Sequence, residues 1–341
     1  MISQESEHEL LLSGYIKNLH EFSFINRLDQ LKYNGLINNR LNFKYIPSEE
    51  ITMRIELRNR IFYGNNVKNF NEFSDIVSRD NGWAKFSWNL INNEDVLFNA
   101  TIDRALVNYS KGSWDITLGR QRVNWGMNVV WNPNDIFNTY NFLDFDYEER
   151  PGSDSFRVQY YLSDFNKLEV AVKKGIGESD YILATMYKFN KWSYDVQFIA
   201  AINEKDWILG TGWAGNLKNA GFKGEVSYFV PKENSKEFKN VVSASISVDY
   251  AFKNGLYING SALYNTITDT SSGNFENLMY NMVTAKNLMP FEYSGFLQLS
   301  KEFSPIFSAS MSTIYSPTNH SVIVIPSIDY SIATNWALNF T

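Results

Sequence analysis

Cations gather on one face of two neighbouring stretches. Arg54, Arg58 and Arg60 take even positions of ITMRIELRNRIFY (51–63), and Arg40 and Lys44 take even positions of 36–46. Side chains two apart on a strand share a face. Arg presents a planar fork of donors that matches carboxylates and phosphates, and Lys a compact point charge. Such a wall could bind or select small anions. Glu56 lies in the same pattern, and Arg104, Arg120, Arg122 and Arg157 recur further along. A second stretch with chemistry is 126–153, GMNVVWNPNDIFNTYNFLDFDYEERPGS. It carries Asp135, Asp144, Asp146, Glu148, Glu149 and Arg150 beside the rings of Trp131, Phe137, Tyr140, Phe142, Phe145 and Tyr147. Asn132, Pro133 and Asn134 supply turn chemistry.

Other chemistries find little support. Covalent catalysis needs a base within hydrogen-bond reach of a nucleophile. Only His8, His20 and His320 exist, there is no cysteine, and neither Gly-x-Ser-x-Gly nor His-x-Ser occurs. His20 on a strand is read as a girdle or lumen residue, and no enzyme is expected. Asp144, Asp146 and Glu148 alternate as oxygen ligands for Ca²⁺ could. That pattern is short and nonspecific, so no metal and no cofactor is expected. The net charge of -6 argues against nucleic acid as a partner.

The elements that carry these residues read as strands. In 51–63 the odd positions are mostly apolar and the even ones mostly charged, a period of two. Similar alternation recurs near 8–24, 36–46, 96–110, 113–125, 154–163, 166–174, 181–189, 192–203, 207–217, 220–230, 239–252, 255–266, 290–303, 306–316 and 321–332. Sixteen strands result. The connections sort by length: PSEE (47–50), SKG (110–112), SDFN (163–166), FNK (189–191), FKNG (252–255) and EFSP (302–305) are short, whereas 64–95, 126–153 and 267–289 are long. Short turns at one end and long loops at the other are the layout of an outer-membrane barrel. A soluble sandwich has no reason to sort its loops this way.

Composition agrees. Aromatics make up 16% (20 Tyr, 25 Phe, 9 Trp), yet hydrophobics total 44% and mean hydropathy is -0.31. Many rings with few other apolar residues suit an outer apolar band with aromatic girdles around a wet lumen. The chain has no apolar run of 18 residues for a helical span. The expected fold is all-β, a transmembrane antiparallel up-and-down barrel of 16–18 strands. It forms one domain over 1–341, with a long inserted loop at 126–153. MISQESEHEL is not a signal peptide, and the chain reads as a mature one with an added Met. At the other end, Ala333-Thr334-Asn335 is followed by Trp336, Leu338 and Phe340, as if a seventeenth strand began and stopped. Bacterial barrels have even strand numbers. Either sixteen strands close, or the sequence stops inside a barrel of eighteen.

Energetics assign the faces. An Arg or Lys facing lipid at midplane costs about 2–4 kcal/mol, so the five cations of 36–46 and 51–63 would cost on the order of 10 kcal/mol there. They face the lumen. Phe156, Val158 and Tyr160 then face out, and Ser155, Arg157 and Gln159 in. Likewise Val242, Ala244, Ile246 and Val248 face out, and Ser243, Ser245 and Ser247 in. One strand breaks the rule: Trp114, Ile116 and Leu118 share parity with Arg120 and Arg122. Either a bulge at Gly119 turns both Arg inward beside Arg104, or both sit above the membrane. Loop 126–153 has two readings as well. Folded into the pore it sets acids against the Arg wall; otherwise it is a lid on the rim.

The stretch 118–161, with Gly-Arg-Gln on a strand, then Trp-Gly, then Asn-Pro-x-Asp and a hydrophobic residue, resembles a family of Gram-negative outer-membrane barrels similar to the alginate-export porins. The opening SGYIKN (13–18) also agrees. The resemblance implies a single barrel of about eighteen strands with an Arg-rich lumen and inserted loops. Alginate exporters pair such a lumen with a polyanionic sugar. The acidic loop here opposes a polyanion, and alginate is not inferred.

The leading expectation is therefore a porin-like channel in the cell outer membrane for small hydrophilic, anionic or saccharide solutes. Arg40, Lys44, Arg54, Glu56, Arg58, Arg60, Arg104, Arg120, Arg122 and Arg157 would line it. Trp131, Asn132, Asp135, Asp144, Asp146, Glu148, Glu149 and Arg150 would form the constriction. The alternative is a plugged structural or assembly barrel that partners other envelope proteins. Outer-membrane lipid and lipopolysaccharide would surround a monomeric barrel in either case.

Overall fold

The computed structural model describes residues 8–24, 31–139, 152–177, 180–233, 239–267 and 283–341. It contains an 18-stranded antiparallel sheet. Among the described residues no helix is long and apolar enough to cross a membrane. The chain divides into two compact units.

The first unit comprises Met1–Val123, Arg150–Tyr161 and Glu169–Leu183. It holds β1 (Glu9–Ser23), β2 (Lys32–Ser48), β3 (Ile51–Gly64), β4 (Ser87–Asn92), β5 (Val96–Lys111), β6 (Trp114–Gln121) and β7 (Ser153–Tyr161). β8 (Lys167–Lys174) and β9 (Tyr181–Lys191) follow, each divided between the two units, with most of β9 in the second. The register runs Tyr15↔Arg40 from β1 to β2, Arg40↔Arg58 to β3, and Glu56↔Arg104 from β3 to β5. It continues Ala105↔Arg120 to β6 and Arg120↔Asp154 to β7.

The second unit comprises Asn124–Glu149, Leu162–Leu168 and Ala184–Thr341. Its strands are β10 (Tyr194–Asn203), β11 (Asp206–Leu217), β12 (Ala220–Pro231), β13 (Val241–Ala251) and β14 (Leu256–Asn265). They continue with β15 (Tyr293–Ser304), β16 (Phe307–Ser316), β17 (Ser321–Ala333) and β18 (Trp336–Phe340). Each pairs antiparallel with the next.

Each expected strand has a counterpart, and two are added. β18 is the strand that the tail began, paired with β17 from Phe340↔Ile328 to Trp336↔Ala333. The other, β4, lies in the connection read simply as a long loop. That connection also holds the short helices α1 (Asn65–Asn69) and α2 (Phe73–Val77). The sequence SWNLIN has no clean alternation, which hid β4. β3 occupies one edge of β5, so β4 and β6 must share the other. The strand expected at 113–125 stops at Gln121, and β4 continues that edge.

The polarity of the faces is inverted relative to a soluble protein. On β13, Ser243, Ser245 and Ser247 are buried while Ile246 and Val248 are exposed. On β7, Ser155 and Gln159 are buried while Phe156 is exposed. Apolar rows turned outward are stable only against an apolar surrounding.

Two local devices reset the alternation. On β5, Asn99 and Asp103 are buried on the odd parity, and then Arg104 is buried on the even one. The β3–β5 register shifts between Glu56 and Leu57, which oppose Arg104 and Ile102 and leave Asp103 as the extra residue. A bulge of this kind lets consecutive residues face the same way. On β6, Leu118 is 61% exposed and Arg120 only 5%. Gly119 between them has φ +115, and a Cβ there would lie 2.2 Å from the Ala105 carbonyl oxygen. Only glycine combines that backbone with that approach. The β5–β6 register stays continuous through Gly119, so the switch is a twist of the backbone rather than an inserted residue.

In the second unit, part of the polar face is apolar. Leu263, Phe296 and Ile314, with Ile323 and Ile325, form a cluster with Val130, Trp131, Leu288, Met289 and Phe291. The strands expose a small apolar seat, and two loop segments fill it.

Candidate functional site

In the first unit the cation wall is built by register. Directly opposed residues share a face, so Arg40↔Arg58, Asn42↔Glu56 and Lys44↔Arg54 stack as successive rows. Arg40 is 1% exposed. Its Nη1 donates to Asp103 Oδ2 at 2.8 Å and its Nη2 to Glu56 Oε2 at 2.5 Å. Asp103 Oδ2 also lies 3.1 Å from Arg58 Nε. Arg104 Nη1 donates to the Asp103 carbonyl at 2.8 Å. Arg60 Nη2 donates to the Val77 carbonyl and to Asn99 Oδ1, both at 3.0 Å. These cations are committed to fixed internal partners.

Arg120 makes a second knot. Its Nε and Nη2 grip Asp154 at 2.7 and 2.9 Å, its Nη1 donates to Asp80 Oδ2 at 2.8 Å, and Nη2 also donates to the Ala84 carbonyl at 2.7 Å. The Phe86 ring lies under the guanidinium, 4.6 Å from its carbon. Asp80 further accepts the backbone N–H of Phe86 at 2.7 Å and of Gly82 at 2.9 Å. Burial pushes the Asp80 carboxyl up, but the hydrogen bonds from Arg120, Phe86 and Gly82 outweigh it and hold the group below the usual carboxylate range. Phe73 of α2 is buried edge-on against Phe62 of β3, 5.3 Å between centroids. The connection 64–95 is thereby folded onto the cation-bearing face. Sequence reasoning missed this because Asp80 lies 40 residues from Arg120.

In the second unit the described half of the 126–153 loop lies on the polar face of β10–β13. Glu225 of β12 is 0% exposed and is the centre of the attachment. Its Oε1 accepts the backbone N–H of Met127 and, at 2.6 Å, of Asn128, while Oε2 accepts that of Asn134 at 3.0 Å. Asn128 Nδ2 donates to Ser245 Oγ, and Ser247 Oγ donates to Asn128 Oδ1 at 2.8 Å. Asn134 Nδ2 donates to the Thr211 carbonyl at 2.9 Å. Gln197 Nε2 donates to the Trp125 carbonyl at 2.6 Å, and Ser245 Oγ to that of Trp131 at 2.9 Å. The Asn-Pro-Asn turn closes through Asp135 N to the Asn132 carbonyl at 3.1 Å.

Of the expected constriction residues, Trp131, Asn132 and Asp135 are buried in this attachment. Asp144, Asp146, Glu148, Glu149 and Arg150, and with them the expected meeting of loop acids and Arg wall, lie outside the described residues. Of the expected lining residues, Arg40, Arg58, Arg104 and Arg120 are buried and Glu56, Arg60 and Arg157 half-buried, all with polar partners. Lys44 is half-buried and Arg54 exposed. Arg122, placed on a strand by the sequence reading, falls just past the end of β6 and is half-buried. Glu225, Gln197 and Asp154 were not singled out. A lone acid on the inward parity of β12 was the one signal for Glu225.

Neither a protein-family model nor a curated protein sequence matches this chain. Solved structures do. Acinetobacter baumannii OccAB4 is 12% identical with a TM-score of 0.54, over 98% of this chain and 90% of its own. Salmonella typhi OmpF, solved with daunomycin, is 9% identical with a TM-score of 0.51, over 91% and 90%. A triple mutant of the Rhodopseudomonas blastica porin is 8% identical with a TM-score of 0.50, over 97% and 100%. The chain has the fold of bacterial outer-membrane porins, an antiparallel up-and-down transmembrane β-barrel.

Proposed function

We propose that this chain is a porin-like channel of the Gram-negative outer membrane, a single barrel domain that passes small hydrophilic solutes with a preference for anions, saccharide acids included. The observation that carries this reading is the placement of two long connections on polar strand faces, 64–95 on the face that bears the cation wall and 126–139 on the face centred on Glu225, with apolar residues on the opposite faces. Charged walls and inserted loops set selectivity in such pores. The porin-fold neighbours support channel function, and the cations grouped on one face of β2 and β3 support an anionic solute class. The barrel is taken as a monomer in outer-membrane lipid and lipopolysaccharide, and no catalysis is assigned.

A second reading has its own support. The apolar cluster around Val130 and Trp131 and the Glu225 attachment fasten a segment on the polar face. A segment so fastened suits a plugged assembly barrel. Planar-bilayer recordings of the full chain decide between them. Stable open steps with a reversal potential favouring anions support the channel. Silent insertion, relieved by deleting 131–150, supports the plug.

A further inference from the structure

The cation wall looks uniform in sequence, but its charges are not equally available. Arg40, Arg58, Arg104, Arg120 and Arg157 each have a described carboxylate or carbonyl within reach. Lys44 and Arg54 do not: among the described residues neither has an acidic partner. They face each other directly, Lys44↔Arg54, on the face that carries the rest of the wall. The flanking residues of that row are Leu11, opposite Lys44, and Leu106, opposite Arg54. The nearest acid on the same face of the strand, Glu56, is engaged by Arg40.

Like charges directly opposed across strands are destabilising. A wall that compensates its other cations with Glu56, Asp103, Asp80 and Asp154 leaves this pair unneutralised. The pair lies three residues from Ile51, about 10 Å along the strand from the short turn. Arg54 is exposed rather than covered by the folded-in connection.

Resting on the channel reading above, we infer that Lys44 and Arg54 form a subsite for a small oxyanion, a carboxylate or phosphate, and are the wall residues that act directly on permeants. The guanidinium fork would take two oxygens of the anion, and the Lys ammonium a third oxygen of a phosphate or a share of one of the two in a carboxylate. The paired Arg residues further along the wall would instead shape the lumen.

The test uses the full chain in planar bilayers at constant ionic strength. Inorganic phosphate is titrated against chloride, with acetate in a parallel series. The wild type is expected to show a saturable fall in current with phosphate. The Lys44→Gln/Arg54→Gln double variant is expected to weaken the apparent affinity about three- to tenfold, the scale of two exposed ion pairs. Lys44→Arg keeps the effect. Because the substitution removes like-charge repulsion, thermal stability of the double variant is unchanged or higher, which separates loss of a subsite from loss of fold. An open channel whose phosphate dependence is the same in wild type and double variant overturns the subsite and leaves the channel reading intact. If no channel opens, the channel reading falls. Phosphate binding to the detergent-solubilised protein by calorimetry then judges the subsite alone, and equal heats in wild type and variant overturn it.

Discussion

Replacing Glu225 by Ala removes the acceptor for three loop N–H groups, those of Met127, Asn128 and Asn134. A hydrogen bond to a charged group contributes about 1.5–3 kcal/mol. The segment would lose roughly 5–9 kcal/mol of attachment if it stayed in place. What remains is the side-chain bonding of Asn128, Asn134 and Gln197 and the burial of Val130 and Trp131, each buried side chain contributing about 1.5–3 kcal/mol. The losses are comparable to what is left, so the segment should leave the polar face for much of the time while the strands persist. Glu225→Gln tests the same bond count. An amide keeps one acceptor oxygen, enough for the Met127–Asn128 pair, but turns a donor towards the other N–H. Detachment should therefore rise from wild type to Gln to Ala. Single-channel conductance and proteolysis between 124 and 139 read it, with heat-modified gel mobility confirming a folded barrel. Equal conductance and equal protease resistance in folded Ala and wild-type protein would refute the latch.

Asp103→Asn leaves Arg40 and Arg58 facing a neutral group; removing one partner of a buried pair costs about 3–5 kcal/mol, to be read as a lower midpoint in denaturant. A double-mutant cycle with Arg58→Gln should recover part of that loss, and strict additivity would sink the pairing. Gly119→Ala places a Cβ against the Ala105 carbonyl at positive φ, so thermal stability should fall by about 1–3 kcal/mol for the backbone alone. Tolerance at that position would mean the parity switch does not depend on glycine. The Asp80 carboxyl titrates below its ordinary value of 3.8. Its stabilising contribution is full above that value and is lost as pH falls through the depressed one. Pepsin should cut the 65–86 connection with a threshold below about pH 4, and Asp80→Asn should erase the threshold.

The faces were legible because lipid and water impose a period of two on every crossing strand. Leu118 out and Arg120 in required a break, and a glycine between them marked it. The Asp103 bulge went unread, although Asp103 and Arg104 are adjacent charges that regular alternation would put on opposite faces. β4 escaped because it completes an edge of β5 that β6 abandons, a vacancy visible only once the strands are paired.

From residue types and spacing alone came the barrel class, its strand spacing and the grouping of cations on one strand face. Those features are local, and each is repeated strand after strand by the same solvent constraint. Tertiary structure decided which cations are neutralised, which connections lie on the polar strand faces, and what holds them. Met127 meets Glu225 across 98 residues, and Arg40 meets Asp103 across 63. No local pattern encodes such pairs: an ion pair or a carboxylate–N–H bond forms only where the fold brings its two halves within about 3 Å.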